Sequence, residues 1–223
     1  MFKAVFFDLD NTLVDFMRMK EQSCDAAIRA MTDAGIEAEE EKVKKLLYEM
    51  FRKYGMEDPL IFQKLLQELK GEVDYRVLSS AINAYRKAQV GLLFPYPGTR
   101  KTLVRLKELG LKLGVVSDAP KLKAWLRLTE MNIAEFFDFV IALEDTGKLK
   151  PDKMPFELAL KKSGFKADEI LFVGDNPERD IKGAKAAGMK TALAKYGQFP
   201  RAGGVKADYE LSEISAIKEI VSK

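Results

Sequence analysis

Two aspartates follow a short apolar run near the start of the chain. Residues 3–7 are rich in β-forming side chains, and Asp8 and Asp10 come directly after them. A run of this kind predicts a buried parallel strand. A carboxylate can attack phosphorus and form an acyl-phosphate. A second carboxylate two residues further on can protonate a leaving oxygen and later activate water. The pair therefore suits phosphoryl transfer through a covalent intermediate.

Other polar side chains fall at the ends of later predicted strands. Ser117 and Asp118 follow a predicted strand at 112–116, and Asp175 follows one at 170–173. In an open α/β sheet, ligands bind outside the carboxyl ends of the strands, so we expect these groups to converge near Asp8. Asp8 and Asp175 would repel each other unless a cation lay between them. Oxygen ligands alone select a hard ion, which predicts Mg²⁺.

Two further groups suit phosphate recognition. Ser117 offers a hydroxyl, and Lys150 offers a point charge fixed by the proline that follows it. After the strand at 170–173, Asn176 is a predicted helix cap, with Pro177 at the first helical position. This places Asp180 one turn into the helix, either as a site residue or as an acidic side chain favoured by the helix dipole.

Composition excludes several other chemistries. The chain has no histidine, which removes Ser-His-Asp and Cys-His catalysis and every histidine-ligated metal. Its single cysteine, Cys24, excludes an intramolecular disulfide and any CxxC site. A calcium-loop interpretation of the segment that starts at Asp8 fails, because the sixth position is Leu13 and the twelfth is Met19.

Charge and hydropathy give expectations about partners and location. The net charge of +3 arises from 37 basic and 34 acidic residues, so no nucleic-acid partner is implied. The N-terminal region lacks the features of a signal peptide, and no stretch is long and apolar enough for a membrane span. We therefore expect a cytoplasmic protein without a membrane partner, as a monomer or homodimer.

The periodicity along the chain changes twice. After the first strand, helical patterns follow one another between residues 16 and 90, with Gly35, Gly55 and Gly71 where helices should end. From residue 99 onward, strands and helices alternate, which predicts a parallel sheet covered on both faces. We expect an α/β core from residues 1–14 and 92–223, interrupted by a helical domain at 15–91, a loop at 200–204 and a last helix at 212–221.

Four segments resemble motifs of the haloacid dehalogenase superfamily. They occur in the family's order over essentially the whole chain and are Asp8-Leu9-Asp10-Asn11-Thr12-Leu13, Val115-Val116-Ser117, Lys150-Pro151-Asp152 and Gly174 through Asp180. The resemblance implies a Rossmann-like core with an inserted, all-helical cap of the C1 type. It also implies a phosphatase, because hydrolytic dehalogenases of this superfamily lack an acid at the position of Asp10.

The resemblance further implies a role for each motif residue. Asp8 would be the nucleophile and a Mg²⁺ ligand, and Asp10 the general acid and base that also binds the metal through its backbone carbonyl. Asp175 would be the remaining direct ligand, with Asp180 a ligand that acts directly or through water. The phosphoryl oxygens would be bound by Ser117 and Lys150, and the supporting residues would be Thr12 and Asp118.

The sequence leaves the substrate and some alternatives open. The chain is similar to archaeal-type members that act on small phosphorylated metabolites, such as glyceraldehyde 3-phosphate or phosphoglycolate. A phosphomutase keeps both aspartates and is not separated by sequence. A phosphoacceptor module would lack the helical insertion, and a non-catalytic binding module would not need every motif residue.

Overall fold

The chain forms two compact units in a computed structural model that describes residues 1–197 and 204–222. One unit comprises Met1–Phe16 with Phe94–Lys223, and the other comprises Met17–Leu93. The predicted loop at 200–204 lies outside the described residues except for Gly204. The interpretation of the second unit as a cap domain remains a prediction.

The described part of the first unit contains a six-stranded sheet in the order β3-β2-β1-β4-β5-β6. All neighbouring strands pair in parallel. The strands are β1 (Ala4–Phe7), β2 (Lys112–Val116), β3 (Phe139–Ile141), β4 (Ile170–Gly174), β5 (Lys190–Ala194) and β6 (Tyr209–Leu211). The order reverses at β1, which pairs with β2 on one side and β4 on the other. In doubly wound sheets, ligands bind at such a switch point.

Helices connect these strands and form the second unit. In chain order they are α1 (Phe16–Asp33), α2 (Glu40–Tyr54), α3 (Ile61–Lys70), α4 (Tyr75–Leu92), α5 (Thr99–Glu108), α6 (Lys121–Glu130), α7 (Leu143–Thr146), α8 (Lys153–Ser163), α9 (Lys182–Ala186) and α10 (Ile217–Val221). The predicted Rossmann-like α/β fold is confirmed, because parallel strands alternate along the chain with helices that surround the sheet.

The central strands are buried on both faces, which explains their continuous apolar sequences. Every residue of β1 and β4 is buried. On one face the rings of Phe6 and Phe139 pack edge to face at 5.2 Å, and those of Phe156 and Phe172 pack at the same centroid distance. Burying aromatic side chains stabilises a core strongly, so these contacts hold the strands that carry the predicted site.

The unit Met17–Leu93 has an apolar core of its own. Its buried residues recur at helical spacing and include Met31, Leu47, Leu65 and Val77. Helix α4 begins at a cap in which the Asp74 carboxylate accepts hydrogen bonds from two backbone amides. Every regular element described in this unit is helical, as the periodicity predicts.

The structure differs from the sequence predictions in several details, among them the short helix α7, which was not predicted. The short strand β6 was not predicted, and its three residues include two exposed ones that give little apolar signal. The helix predicted to begin at Pro177 is a π-helical turn, Pro177–Ile181, followed by α9. The predicted last helix at 212–221 is a 3₁₀ turn, Ile214–Ala216, followed by α10.

Within residues 1–197 and 204–222, no helix is long and apolar enough to cross a membrane.

Candidate active site

Asp8 lies at the centre of the sheet, at the switch point of the strand order. It follows β1, and its backbone amide donates to the carbonyl of Val173 at the end of β4 with an N–O distance of 2.8 Å. This bond continues the β1–β4 pairing by one residue and brings Asp8 beside the segment that carries Asp175. The Asp8 carboxylate is buried, with 4 % of its side chain exposed.

Lys150 joins two of the carboxylates. Its ammonium lies 2.7 Å from Oδ1 of Asp8 and 2.7 Å from Oδ1 of Asp180. It also donates to the carbonyl of Val116 at 2.9 Å, which ties it to the end of β2. Although burial acts to lower the pKa of Lys150, the carboxylates of Asp180 and Asp8 raise it above its usual value. The ammonium therefore stays charged in a fully buried position.

Asp180 reaches this cluster because the chain before it turns tightly. The Asn176 side chain caps the π-helical turn by accepting from the amides of Glu178 and Arg179, as predicted. Asp180 Oδ2 accepts from the Asn176 amide at 3.0 Å. A Cβ placed on Gly174 would lie 2.5 Å from Asp180 Cβ, so only glycine leaves room for this approach. Asp180 is fully buried, and its role as a site residue remains a prediction.

The carboxylates of Asp8, Asp175 and Asp180 form a group that could hold a metal ion. One oxygen from each lies within 4.8 Å of the others, and all three residues are buried. Asp175 Oδ1 has no hydrogen-bond partner among the described residues. Burial and the negative charges of Asp8 and Asp180 raise the pKa of Asp175 to about 8. A hard cation would satisfy the orphaned oxygen and relieve the repulsion, so these oxygen ligands fit Mg²⁺.

Ser117 and Asp118 lie at the end of β2, as predicted. The Ser117 hydroxyl is buried and accepts from the amide of Ala119 at 3.1 Å. Asp118 accepts from the backbone amide of Lys150 at 2.8 Å and from Arg179 at 3.3 Å. Asp118 thus connects the β2 loop, the Lys150 segment and the π-helical turn.

The turn that carries Asp10 is packed against the end of β5. Asn11 adopts a left-handed backbone with φ of 60°. The carbonyl of Thr12 accepts from the Tyr196 hydroxyl at 2.9 Å. A Cβ on Gly197 would lie 1.5 Å from the Asn11 carbonyl oxygen, so the backbones approach too closely for a side chain there. Thr12 is buried, and its own hydroxyl makes no hydrogen bond to the described residues. Its supporting role remains a prediction.

Asp10 itself contacts a residue that the sequence did not single out. Arg127 donates to both carboxylate oxygens of Asp10, at 2.7 and 3.0 Å. Arg127 is buried on the same face of α6 as Ala124 and Leu128. The signal that could have singled out Arg127 is its place on the apolar face of a predicted helix. The apolar residues around it, which include Trp125, obscured this signal. Arg179, the partner of Asp118, was also missed, since one arginine in a polar turn carries no distinctive pattern.

The fold and this cluster together define the class of protein. A parallel α/β sheet carries three buried carboxylates and a buried lysine at its switch point, drawn from three separate parts of the chain. This arrangement is a Rossmann-like enzyme site suited to an anionic substrate and a hard cation.

The chain belongs to the haloacid dehalogenase-like hydrolases. The model of that family matches residues 2–188. The protein named glyceraldehyde 3-phosphate phosphatase of Methanocaldococcus jannaschii is 35% identical over 222 residues, which cover 99% of this chain and 97% of the relative. Because both the family model and the named phosphatase relative support it, we conclude that the chain is a phosphoric monoester hydrolase.

Solved structures agree with the fold. A HAD phosphatase from Thermococcus onnurineus superposes with a TM-score of 0.65 at 23% identity, covering 98% of this chain and 97% of the other. A 2-haloacid dehalogenase from Pseudomonas syringae pv. Tomato DC3000 superposes with a TM-score of 0.68 at 24% identity, covering 100% and 99%. At these identities the likeness concerns the fold alone, so the reaction has to be argued from the site.

Proposed function

We propose that this protein hydrolyses the phosphate ester of a small metabolite, with glyceraldehyde 3-phosphate as the first candidate. The observation that carries the proposal is the buried cluster in which Lys150 bridges Asp8 and Asp180 beside Asp175. The name of the Methanocaldococcus relative, which aligns over nearly the full length of both chains, supports the substrate.

Asp8 is the nucleophile in this proposal. Its carboxylate oxygen attacks phosphorus, the ester bond to the leaving alcohol breaks, and an aspartyl-phosphate forms. Splitting hydrolysis into two displacements makes each step easier. The ion pair with Lys150 at 2.7 Å fixes one oxygen of Asp8, which leaves the other to approach the substrate.

Asp10 moves the protons. It gives a proton to the oxygen of the departing alcohol in the first step. In the second step it takes a proton from the water that attacks the aspartyl-phosphate. Inorganic phosphate leaves, Asp8 is restored, and the net change is one ester and one water converted into one alcohol and one phosphate. This requirement for an acid accounts for a second aspartate two residues after the first.

The substrate phosphoryl group is bound by the remaining polar groups. The Lys150 ammonium offsets its charge, and the Ser117 hydroxyl at the end of β2 donates to one of its oxygens. The candidate metal ligands are the carboxylates of Asp8, Asp175 and Asp180 and the backbone carbonyl of Asp10. When bound there, Mg²⁺ would offset the phosphate charge and polarise the phosphoryl oxygens.

Phosphate release from a panel of metabolites tests this function. The panel contains glyceraldehyde 3-phosphate, phosphoglycolate and a hexose phosphate, each with Mg²⁺ and with EDTA. We expect release only with metal, and a loss on the order of 10³-fold or more in Asp8→Asn. Mass spectrometry of the acid-quenched protein should find the phosphoryl group on the peptide that contains Asp8.

Asp168→Asn is the matched control, because Asp168 is exposed on the turn Ala167–Glu169, and it should retain full activity. Equal activity in EDTA, or full activity in Asp8→Asn, would show the mechanism to be wrong. Isomerisation of the hexose phosphate with little free phosphate would instead identify a phosphomutase.

A further inference from the structure

Arg127 and Asp10 form a close, largely buried ion pair. Nη1 of Arg127 lies between the two carboxylate oxygens of Asp10, at 2.7 and 3.0 Å. The exposed fraction is 4 % for the Arg127 side chain and 22 % for that of Asp10. Exposed ion pairs contribute little because water screens them, whereas a guanidinium held away from water gives a stronger and better directed contact.

The Arg127 side chain is itself held in place by its surroundings. It projects from the face of α6 that also buries Ala124 and Leu128. Its guanidinium carbon lies 4.3 Å from the centre of the Phe16 ring, a cation–π distance. Phe16 is the first residue of α1 and is 7 % exposed. Packing on one side and the carboxylate on the other leave the guanidinium few alternative positions.

Asp10 needs such a fixed partner more than Asp8 does. It lies in a turn rather than in a strand, next to the left-handed Asn11, and its side chain is partly exposed. Proton transfer requires the carboxylate within about 3 Å of the reacting oxygen. A misplacement of roughly 1 Å can cost on the order of 100-fold in rate.

We propose that Arg127 is a positioning residue that orients the Asp10 side chain for proton transfer, as the carboxylic acid in the first step and as the carboxylate in the second. The inference rests on the proposed function, since it concerns the acid and base of that mechanism. Arg127 does not touch the substrate in this proposal. It acts only through Asp10, which distinguishes its expected kinetic signature from that of a phosphate-binding arginine.

The alternative is a purely structural ion pair that anchors α6 to the turn. The two roles differ in their dependence on Asp10 and on the leaving group. A positioning role disappears when Asp10 can no longer transfer a proton. It also matters little in the first step for a leaving group such as p-nitrophenolate, which departs without protonation. If the role is purely structural, the loss of Arg127 should lower the rate equally for every substrate, whether or not Asp10 can transfer a proton.

The test compares Arg127→Ala, Asp10→Asn and the double variant, each with Mg²⁺. For glyceraldehyde 3-phosphate, we expect Arg127→Ala to lower kcat by about 10- to 100-fold while KM changes by less than about threefold. In the first turnover with p-nitrophenyl phosphate, release of p-nitrophenolate should fall by less than about threefold. In the Asp10→Asn background, adding Arg127→Ala should lower the remaining kcat for glyceraldehyde 3-phosphate by less than about twofold.

Three further variants keep the test decisive. Arg127→Lys restores a positive charge and should recover part of kcat. Arg127→Met keeps the packing on Phe16 without the charge, and it replaces the alanine variant if that variant does not fold. Arg105→Ala is the control, because Arg105 is exposed and pairs with Glu108 on its own helix, and it should match the wild type.

Each outcome separates this inference from the proposed function. An unchanged kcat in Arg127→Ala, or equal losses in both backgrounds and with both substrates, would overturn the positioning role while leaving the phosphatase activity in place. If the wild-type protein released no phosphate from any ester of the panel, the proposed function and this inference would both fall.

Discussion

Lys150 Nζ lies 2.7 Å from Asp8 Oδ1, although the two residues are 142 positions apart in the chain. The same ammonium lies 2.7 Å from Asp180. Sequence alone indicated Lys150 as a ligand for the substrate phosphate. The structure adds that its ammonium compensates the buried negative charge of Asp8, so its loss should affect folding and catalysis together.

Replacing Lys150 by methionine removes that compensation at nearly constant volume. Breaking a buried ion pair from one side typically costs about 3–5 kcal/mol, because it leaves an unpaired charge. We expect a lower melting temperature in EDTA, partial recovery with Mg²⁺, and a fall in kcat of on the order of 100-fold or more. Thermal unfolding and phosphate release measure both effects.

Lys148→Met is the control for this change. Lys148 precedes Lys150 by two residues and is exposed, so its loss should leave stability and activity unchanged. An Lys150→Met protein as stable as the wild type in EDTA would contradict the role assigned to the ion pair.

Metal binding should depend on pH through Asp175. Since the pKa of Asp175 is raised to about 8, the metal-free carboxyl is mostly protonated at pH 7. Mg²⁺ requires the carboxylate, so binding at pH 7 should release close to one proton, and apparent affinity should rise as pH increases toward about 8. Titration calorimetry in buffers of different ionisation enthalpy measures the released protons.

The raised pKa of Asp175 also predicts how the stability of the metal-free protein changes with pH. A group that holds its proton more tightly in the folded state than in the unfolded state stabilises the fold at low pH. That contribution is lost as pH rises from about 4 to about 8. The metal-free protein should therefore lose stability over this window, and Asp175→Asn should lose less. Identical pH profiles for the two proteins would refute the prediction.

Gly174→Ala tests the close approach of Asp180 to the end of β4. The added Cβ would lie 2.5 Å from Asp180 Cβ and 2.7 Å from its Oδ2. Overpacking of this kind costs about 1–3 kcal/mol, and displacing Asp180 should lower kcat as well. Denaturant unfolding and steady-state kinetics measure the two effects.

The matched change is Gly91→Ala, because nothing lies within 4 Å of a Cβ at that position in α4. It should stabilise the protein by up to about 1 kcal/mol through helix propensity, with activity unchanged. If Gly174→Ala behaved like Gly91→Ala, the packing argument at Asp180 would be wrong.

Tyr196→Phe tests the support of the turn that carries Asp10. The change removes the hydrogen bond to the Thr12 carbonyl and keeps the edge contact with Tyr96, whose ring centre is 4.9 Å away. We expect a loss of about 1 kcal/mol in unfolding free energy and a lower kcat. Tyr209→Phe, at an exposed position of β6, should change neither quantity. A Tyr196→Phe protein with wild-type stability and kcat would show that the turn needs no such support.

Much of the fold could be predicted because its signals are local. Continuous apolar strands and helical periodicities come from neighbouring residues, so β1, β2, β4 and most helices were identified. Strand β6 was missed because an edge strand of three residues, two of them exposed, carries little periodicity. The helix predicted to begin at Pro177 starts as a π-helical turn that carries Asp180 buried against Gly174, a packing detail that helical periodicity does not report.

The sequence by itself determined which groups are available and at which edge they lie. The strand-end rule brought Asp8, Ser117 and Asp175 together, since parallel strands share the edge at their carboxyl ends. Only the tertiary structure decided the pairing: Lys150 with Asp8 and Asp180, Arg127 with Asp10, and Arg179 with Asp118. Ion pairs between distant segments depend on the order of strands and on which helix face is buried. Neither property is encoded in the spacing of residues along one segment.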